Sequence, residues 1–148
     1  MKKNIQAQLE NFWHHACYAL CISYVNTDQD VREDIYYHIM NVIAGWNNGY
    51  IEDDCYVAKP HKYASMCRGE EKYYMDVEKV PLNKLEDLPD EGEWIVEWKC
   101  PSGGSHFTVE TRQTIVTDEP LFDPSYLSNS RKNKQAISYR KYFKYKGV

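Results

Sequence analysis

The stretch Ala16-Cys17-Tyr18-Ala19-Leu20-Cys21-Ile22-Ser23-Tyr24-Val25 carries no charged residue and follows a polar and aromatic approach, Asn11-Phe12-Trp13-His14-His15. Its small and apolar positions suit a helix over about residues 16–25 that is buried on most sides. Cys17 then falls in the first turn, where unpaired backbone N–H groups and the helix dipole favour a negative charge. The reactive form of cysteine is its thiolate. A cysteine at this position therefore draws attention to any histidine and acid the chain could bring to it.

The second half supplies them. Glu93-Trp94-Ile95-Val96-Glu97-Trp98 alternates, with Trp94, Val96 and Trp98 on one face, as a half-buried strand does. Pro101-Ser102-Gly103-Gly104 is turn chemistry, and 106–110 reads as the returning strand, with His106 at its start. Asp123 lies seventeen residues further on, before Pro124, which biases it to an extended conformation. Asp118 and Glu119 are local rivals for the acidic role. In a Cys-His-Asp arrangement, His106 takes the thiol proton and Asp123 holds the imidazole in the useful tautomer.

Each residue also has a plainer reading. A cysteine in a helix is often a small buried hydrophobe, and Cys21, one turn later, shares the face of Cys17. His106 can be a surface residue after a glycine turn, and Asp123 a turn aspartate. His14, His15, Cys17 and Cys21 include an H-x-x-C-x-x-x-C spacing of zinc-compatible types, but without the second tight pair of a structural zinc site. No cofactor is expected. The oxyanion of an acyl transfer needs a side-chain amide beside the cysteine N–H. Asn11 has the more familiar spacing for that role and Gln8 the more familiar residue type; the reading takes Gln8.

Between the two halves, a second helix is expected over about 31–46, where Ile35, Ile39, Val42 and Ile43 recur at helical spacing, capped by Asp28 or Asp30 and stopped by Asn47-Asn48-Gly49. Pro60 opens a short helix through Met66. Strands are expected over 73–80, 114–117 and 137–145. Helices first and antiparallel strands afterwards imply an α+β fold, and 148 residues imply one domain spanning 1–148.

Composition bounds the rest. The chain is 43% hydrophobic and 27% charged, ordinary for a globular protein, and no apolar run is long enough for a membrane span. Five cysteines, an odd number without C-x-x-C, fit reduced thiols and a cytoplasmic protein, and the first residues do not read as a secretory signal. A net charge of −4 argues against general nucleic-acid binding. After Asp123 all charged residues are basic, which suggests either a solvated strand or a basic edge facing an anionic partner.

With Gln8, Cys17, His106-Phe107 and Asp123-Pro124 in place, the chain resembles the papain-like cysteine peptidase superfamily. Within it, the resemblance is to small bacterial proteins of the double-glycine-leader peptidase type. A narrower one, to phage- and plasmid-associated proteins of that fold, is carried by Ala16-Cys17-Tyr18, by Gly49-Tyr50-Ile51-Glu52-Asp53-Asp54-Cys55 and by His106-Phe107. Ala16 stands where those proteins have glycine. The resemblance implies N-terminal helices packed on a C-terminal antiparallel sheet. It also implies a thiol hydrolase acting on an amide bond of a peptide, an isopeptide or a cell-wall crosslink. The rival from another class is a non-catalytic binding module of the same fold that recognises a protein or an anionic partner.

Overall fold

A computed structural model describes residues 12, 15–101, 103–124 and 134–147. Its first long element, helix α1 (Cys17–Val25), buries seven of its nine residues, in keeping with its small and apolar composition. It ends at Asn26, whose Nδ2 donates to the Ile22 carbonyl at 2.8 Å while its Oδ1 accepts from Arg68 Nε and the Tyr74 hydroxyl. One buried amide thus ties the helix end to two later elements.

Helix α2 (Ile35–Asn47) starts four residues later than the periodicity predicts, and its cap is Asp34, which accepts from the Tyr36 N–H at 3.0 Å. The reason is tertiary. Arg32 is buried, with a bidentate pair to Glu93 at 2.9 and 2.6 Å and a bond to the Tyr24 carbonyl, which holds residues 28–34 in turns. Gly45 lets α2 approach its neighbours closely: a Cβ there would sit 2.6 Å from the Tyr63 ring and 2.8 Å from Ile51. Helix α3 (Pro60–Arg68) has proline in its first turn and Gly69 as a left-handed cap, so both ends follow local sequence.

Four strands follow: β1 (Tyr74–Pro81), β2 (Trp94–Lys99), β3 (Ser105–Glu110) and β4 (Gln135–Lys144). They form one antiparallel sheet in the order β1-β4-β2-β3. The fold is therefore α+β. The helices cover one face, where Ile95, Phe107 and Val109 join the core of α1. Val96 and Trp98 point the other way, as their alternation predicts, and pack with Ala136, Leu82 and Leu88.

Two expectations are corrected. Residues 114–117 are not a strand but part of helix α4 (Arg112–Thr117), because Thr111 and Thr114 form a reciprocal capping box that starts a helix despite the β-branched run. The basic strand β4 is not an edge. It lies between β1 and β2, and Arg140 is spent inside the sheet on Glu97 and Ser138. Among the described residues, no helix is long and apolar enough to cross a membrane.

Candidate active site

The N-terminus of α1 abuts the outer edge of β3. Tyr18 stacks on Phe107 with ring centroids 4.7 Å apart, and the Phe107 backbone N–H is near enough to the Cys17 thiol to draw its pKa down. The Phe107 N–H faces away from β2, towards α1. Val109, two residues on with the same orientation, is bridged on that side by residues 121 and 122: its N–H donates to the Phe122 carbonyl, and the Leu121 N–H donates to its own, both at 2.9 Å. Cys17 sulfur thus lies beside the peptide that joins His106 to Phe107.

The same edge positions Asp123. The bridge between Val109 and Phe122 runs residues 121–123 antiparallel to β3, back towards its start. His106 Nε2 and Asp123 Oδ1 are 2.9 Å apart, with side chains 10% and 15% exposed. A carboxylate only accepts, so Nε2–H is the donor in this contact. Of the acidic rivals, Asp118 caps α4 in the left-handed conformation, and it and Glu119 are exposed; Asp123 is the one paired with His106.

The expected thiolate is not favoured at rest. Cys17 is only 6% exposed, and burial pushes its thiol up to about 11. Hydrogen bonds from the N–H groups of Phe107, Tyr18 and Cys17 itself pull in the opposite direction and lose. Desolvation exceeds the helix-end effect because the site lies inside the core cluster. Cys21 is fully buried and held higher still, and burial likewise puts Cys67 at about 12. All five cysteines are free thiols.

Gln8 and Asn11, the oxyanion candidates, lie outside the described residues, as does His14 of the zinc spacing. Among the described residues, no three His, Cys, Asp or Glu side chains are grouped to hold a metal ion.

Two further groups surround the site. On the His106 face of β3, Glu110 is fully buried: Thr108 donates to its Oε2 at 2.6 Å, Thr114 Oγ1 lies 2.7 Å from its Oε1, and Trp98 Nε1 donates to Thr108. Period-two counting from His106 points to Thr108 and Glu110, but only the fold reveals that the carboxylate is enclosed. On the other face, Glu97 accepts from Ser105 at 2.5 Å, Ser138 at 2.7 Å, Lys79 at 3.1 Å and Arg140 at 3.2 Å. A cavity of about 390 Å³ opens there, lined in part by Tyr18, Phe107, Ser105, Glu97, Lys79 and Arg140. It adjoins the site through residues next in sequence to Cys17 and His106.

Comparison of the chain with known proteins found no matching family model, no similar curated protein and no similar solved structure.

Proposed function

We propose that the chain is a papain-like thiol hydrolase that cleaves an amide bond of a peptide, an isopeptide or a cell-wall crosslink. The observation that carries this reading is the His106–Asp123 pair at 2.9 Å on β3, the strand whose Phe107 stacks on Tyr18, the residue after Cys17. A cysteine opening a helix, a histidine opening a strand and an acid on the next segment along that strand is the papain-like arrangement.

The chemistry follows from the protonation states. With Cys17 a thiol at rest, His106 Nδ1 takes its proton as the sulfur attacks the carbonyl carbon, so the step is general-base catalysis rather than attack by a standing thiolate. The carbonyl oxygen becomes an oxyanion within reach of the Cys17 N–H, with Gln8 as the proposed side-chain donor. The imidazolium then protonates the amine, the C–N bond breaks, and a thioester remains on Cys17. Water, deprotonated by His106, releases the acid and restores the thiol. Asp123 stabilises the transient imidazolium throughout.

A second reading is favoured by one observation: the thiol is almost closed to solvent and held protonated, as a structural cysteine is. On that reading the same fold serves as a binding module. Reaction with p-nitrophenyl acetate at pH 8, followed by mass spectrometry, separates the two. A hydrolase acquires an acetyl group on Cys17 that His106→Ala does not. Absence of any acyl adduct on Cys17 in the native chain rejects the hydrolase.

A further inference from the structure

Helix α2, Ile35–Asn47, contains no Asp, Glu, Lys or Arg, yet it lies on the surface. One side is accounted for: His38, Val42 and Gly45 are buried against the rest of the fold. The other side is also apolar. Tyr36 is 75% exposed, Met40 62%, Trp46 52%, and Tyr37 and Ile43 about 40% each. At about 100° per residue, Tyr36, Met40 and Ile43 fall within roughly 60° of one another and form a continuous stripe, flanked by Tyr37 and Trp46. An amphipathic surface helix turns charges to water, and a helix apolar all round is covered on both sides. A contiguous exposed patch of this kind marks an interaction surface.

The ends of the stripe define the partner. Glu33 and Asp34 stand at the start of α2, and Glu52, Asp53 and Asp54 just past its end. Between residues 33 and 58 there is no lysine or arginine, and the nearest arginine, Arg32, is buried and paired with Glu93. At the far end a cavity of about 380 Å³ is lined by the apolar Val42, Ile43, Trp46, Ile51 and Phe12 together with the acidic Glu52 and Asp53. Trp46 is held there by its Nε1 donating to Asp53 Oδ1 at 2.7 Å. An apolar lining that includes carboxylates suits a side chain that has an aliphatic stem and a cationic head.

We infer that the outer face of α2, together with this cavity, is a docking groove for a basic amphipathic helix of another protein. That segment lays its apolar face on Tyr36, Met40 and Ile43, seats a lysine or arginine in the cavity, and places further cations over the acidic ends. A second copy of this chain is a poor occupant. Antiparallel packing of α2 on itself brings Glu33 and Asp34 of one copy to Glu52–Asp54 of the other, and parallel packing brings like ends together, so carboxylates face carboxylates either way. The acidic ends equally disfavour an anionic lipid surface. The inference does not depend on the chemistry of Cys17.

The test uses the full chain and two fluorescein-labelled helical peptides of about 18 residues, roughly 27 Å long. Both carry the same leucine face; one has lysine at the remaining positions and the other glutamate. Anisotropy should show the lysine peptide binding at least tenfold more tightly than the glutamate peptide, with binding weakening as salt is raised. Met40→Glu and, separately, Tyr36→Glu should each weaken the lysine peptide tenfold or more, with unchanged circular dichroism. These substitutions add negative charge, so simple attraction of a cation to an acidic protein predicts tighter binding instead. Unchanged or tighter binding by both variants overturns the inference. So does equal binding of the two peptides, or a native dimer in sedimentation that Met40→Glu dissolves.

Discussion

His106 and Asp123, seventeen residues apart, meet at 2.9 Å because the chain folds back along the open edge of β3 and pairs Phe122 with Val109. Helix α4 occupies most of the intervening turn. The contact fixes the imidazole with its Nε2 on the acid. Phe107, next to His106, stacks on Tyr18, next to Cys17. His106, Asp123 and the first turn of α1 thus meet at one strand.

If His106 is the base for Cys17, removing it slows the thiol. His106→Ala is expected to lower the rate of iodoacetamide modification of Cys17 about tenfold or more, towards the ~10²–10⁴ that a positioned base contributes. Asp123→Asn should have a smaller effect, since it orients rather than reacts. Peptide mapping by mass spectrometry after timed alkylation measures both. An unchanged Cys17 rate in His106→Ala shows the two residues to be uncoupled.

Burial of Cys17 also leaves a mark on stability. Its thiol is raised from the ordinary 9.0 to about 11, so the folded state retains a proton that the unfolded state loses. That contribution is complete below pH 9 and is lost as pH rises from about 9 to 11, on the order of 3 kcal/mol. Cys67, held at about 12, adds a loss of the same sign that extends further up. Urea denaturation between pH 8 and 11 should show stability falling, and falling less steeply in Cys17→Ala. Equal slopes place the thiol in solvent.

Glu97 shows the opposite sign. Burial alone would raise its carboxyl, but hydrogen bonds from Ser105, Ser138 and Lys79 and the charge of Arg140 overcome it and hold the group at about 2. Its stabilisation is present above the ordinary value of 4.5 and is lost as pH falls through about 2. Glu97→Gln should therefore cost about 1–3 kcal/mol at pH 7, as charged hydrogen bonds do, and the difference from the native chain should shrink below pH 4. A constant difference across that range would contradict the ionised network.

Gly45→Ala sets two effects against each other. Alanine in a helix interior gains about 1 kcal/mol over glycine. The added methyl, however, meets the fully buried Tyr63 ring at 2.6 Å and Ile51 at 2.8 Å, and such overpacking costs about 1–3 kcal/mol. The buried ring cannot swing into solvent, so the clash wins and thermal denaturation should show a lower Tm. A raised Tm would mean that α2 can shift away from α3.

Much of this was legible in the chain itself. The small and apolar run from Cys17 to Val25 marked a buried helix, Pro60 opened another, and the alternation through Trp94, Val96 and Trp98 with Gly103-Gly104 marked the hairpin that carries His106. These are local properties: backbone freedom, side-chain period and capping act within a few residues. Tertiary structure decided what depended on distant partners. Arg32 pairing with Glu93 delayed α2 to Asp34, the order β1-β4-β2-β3 turned a basic strand inward, and the return of residues 121–123 along β3 selected Asp123 over Asp118 and Glu119. It also set the Cys17 thiol. Sequence placed that residue at a helix start, which favours the thiolate, but how much water remains around a sulfur depends on every element packed over it, and here desolvation outweighs the helix end.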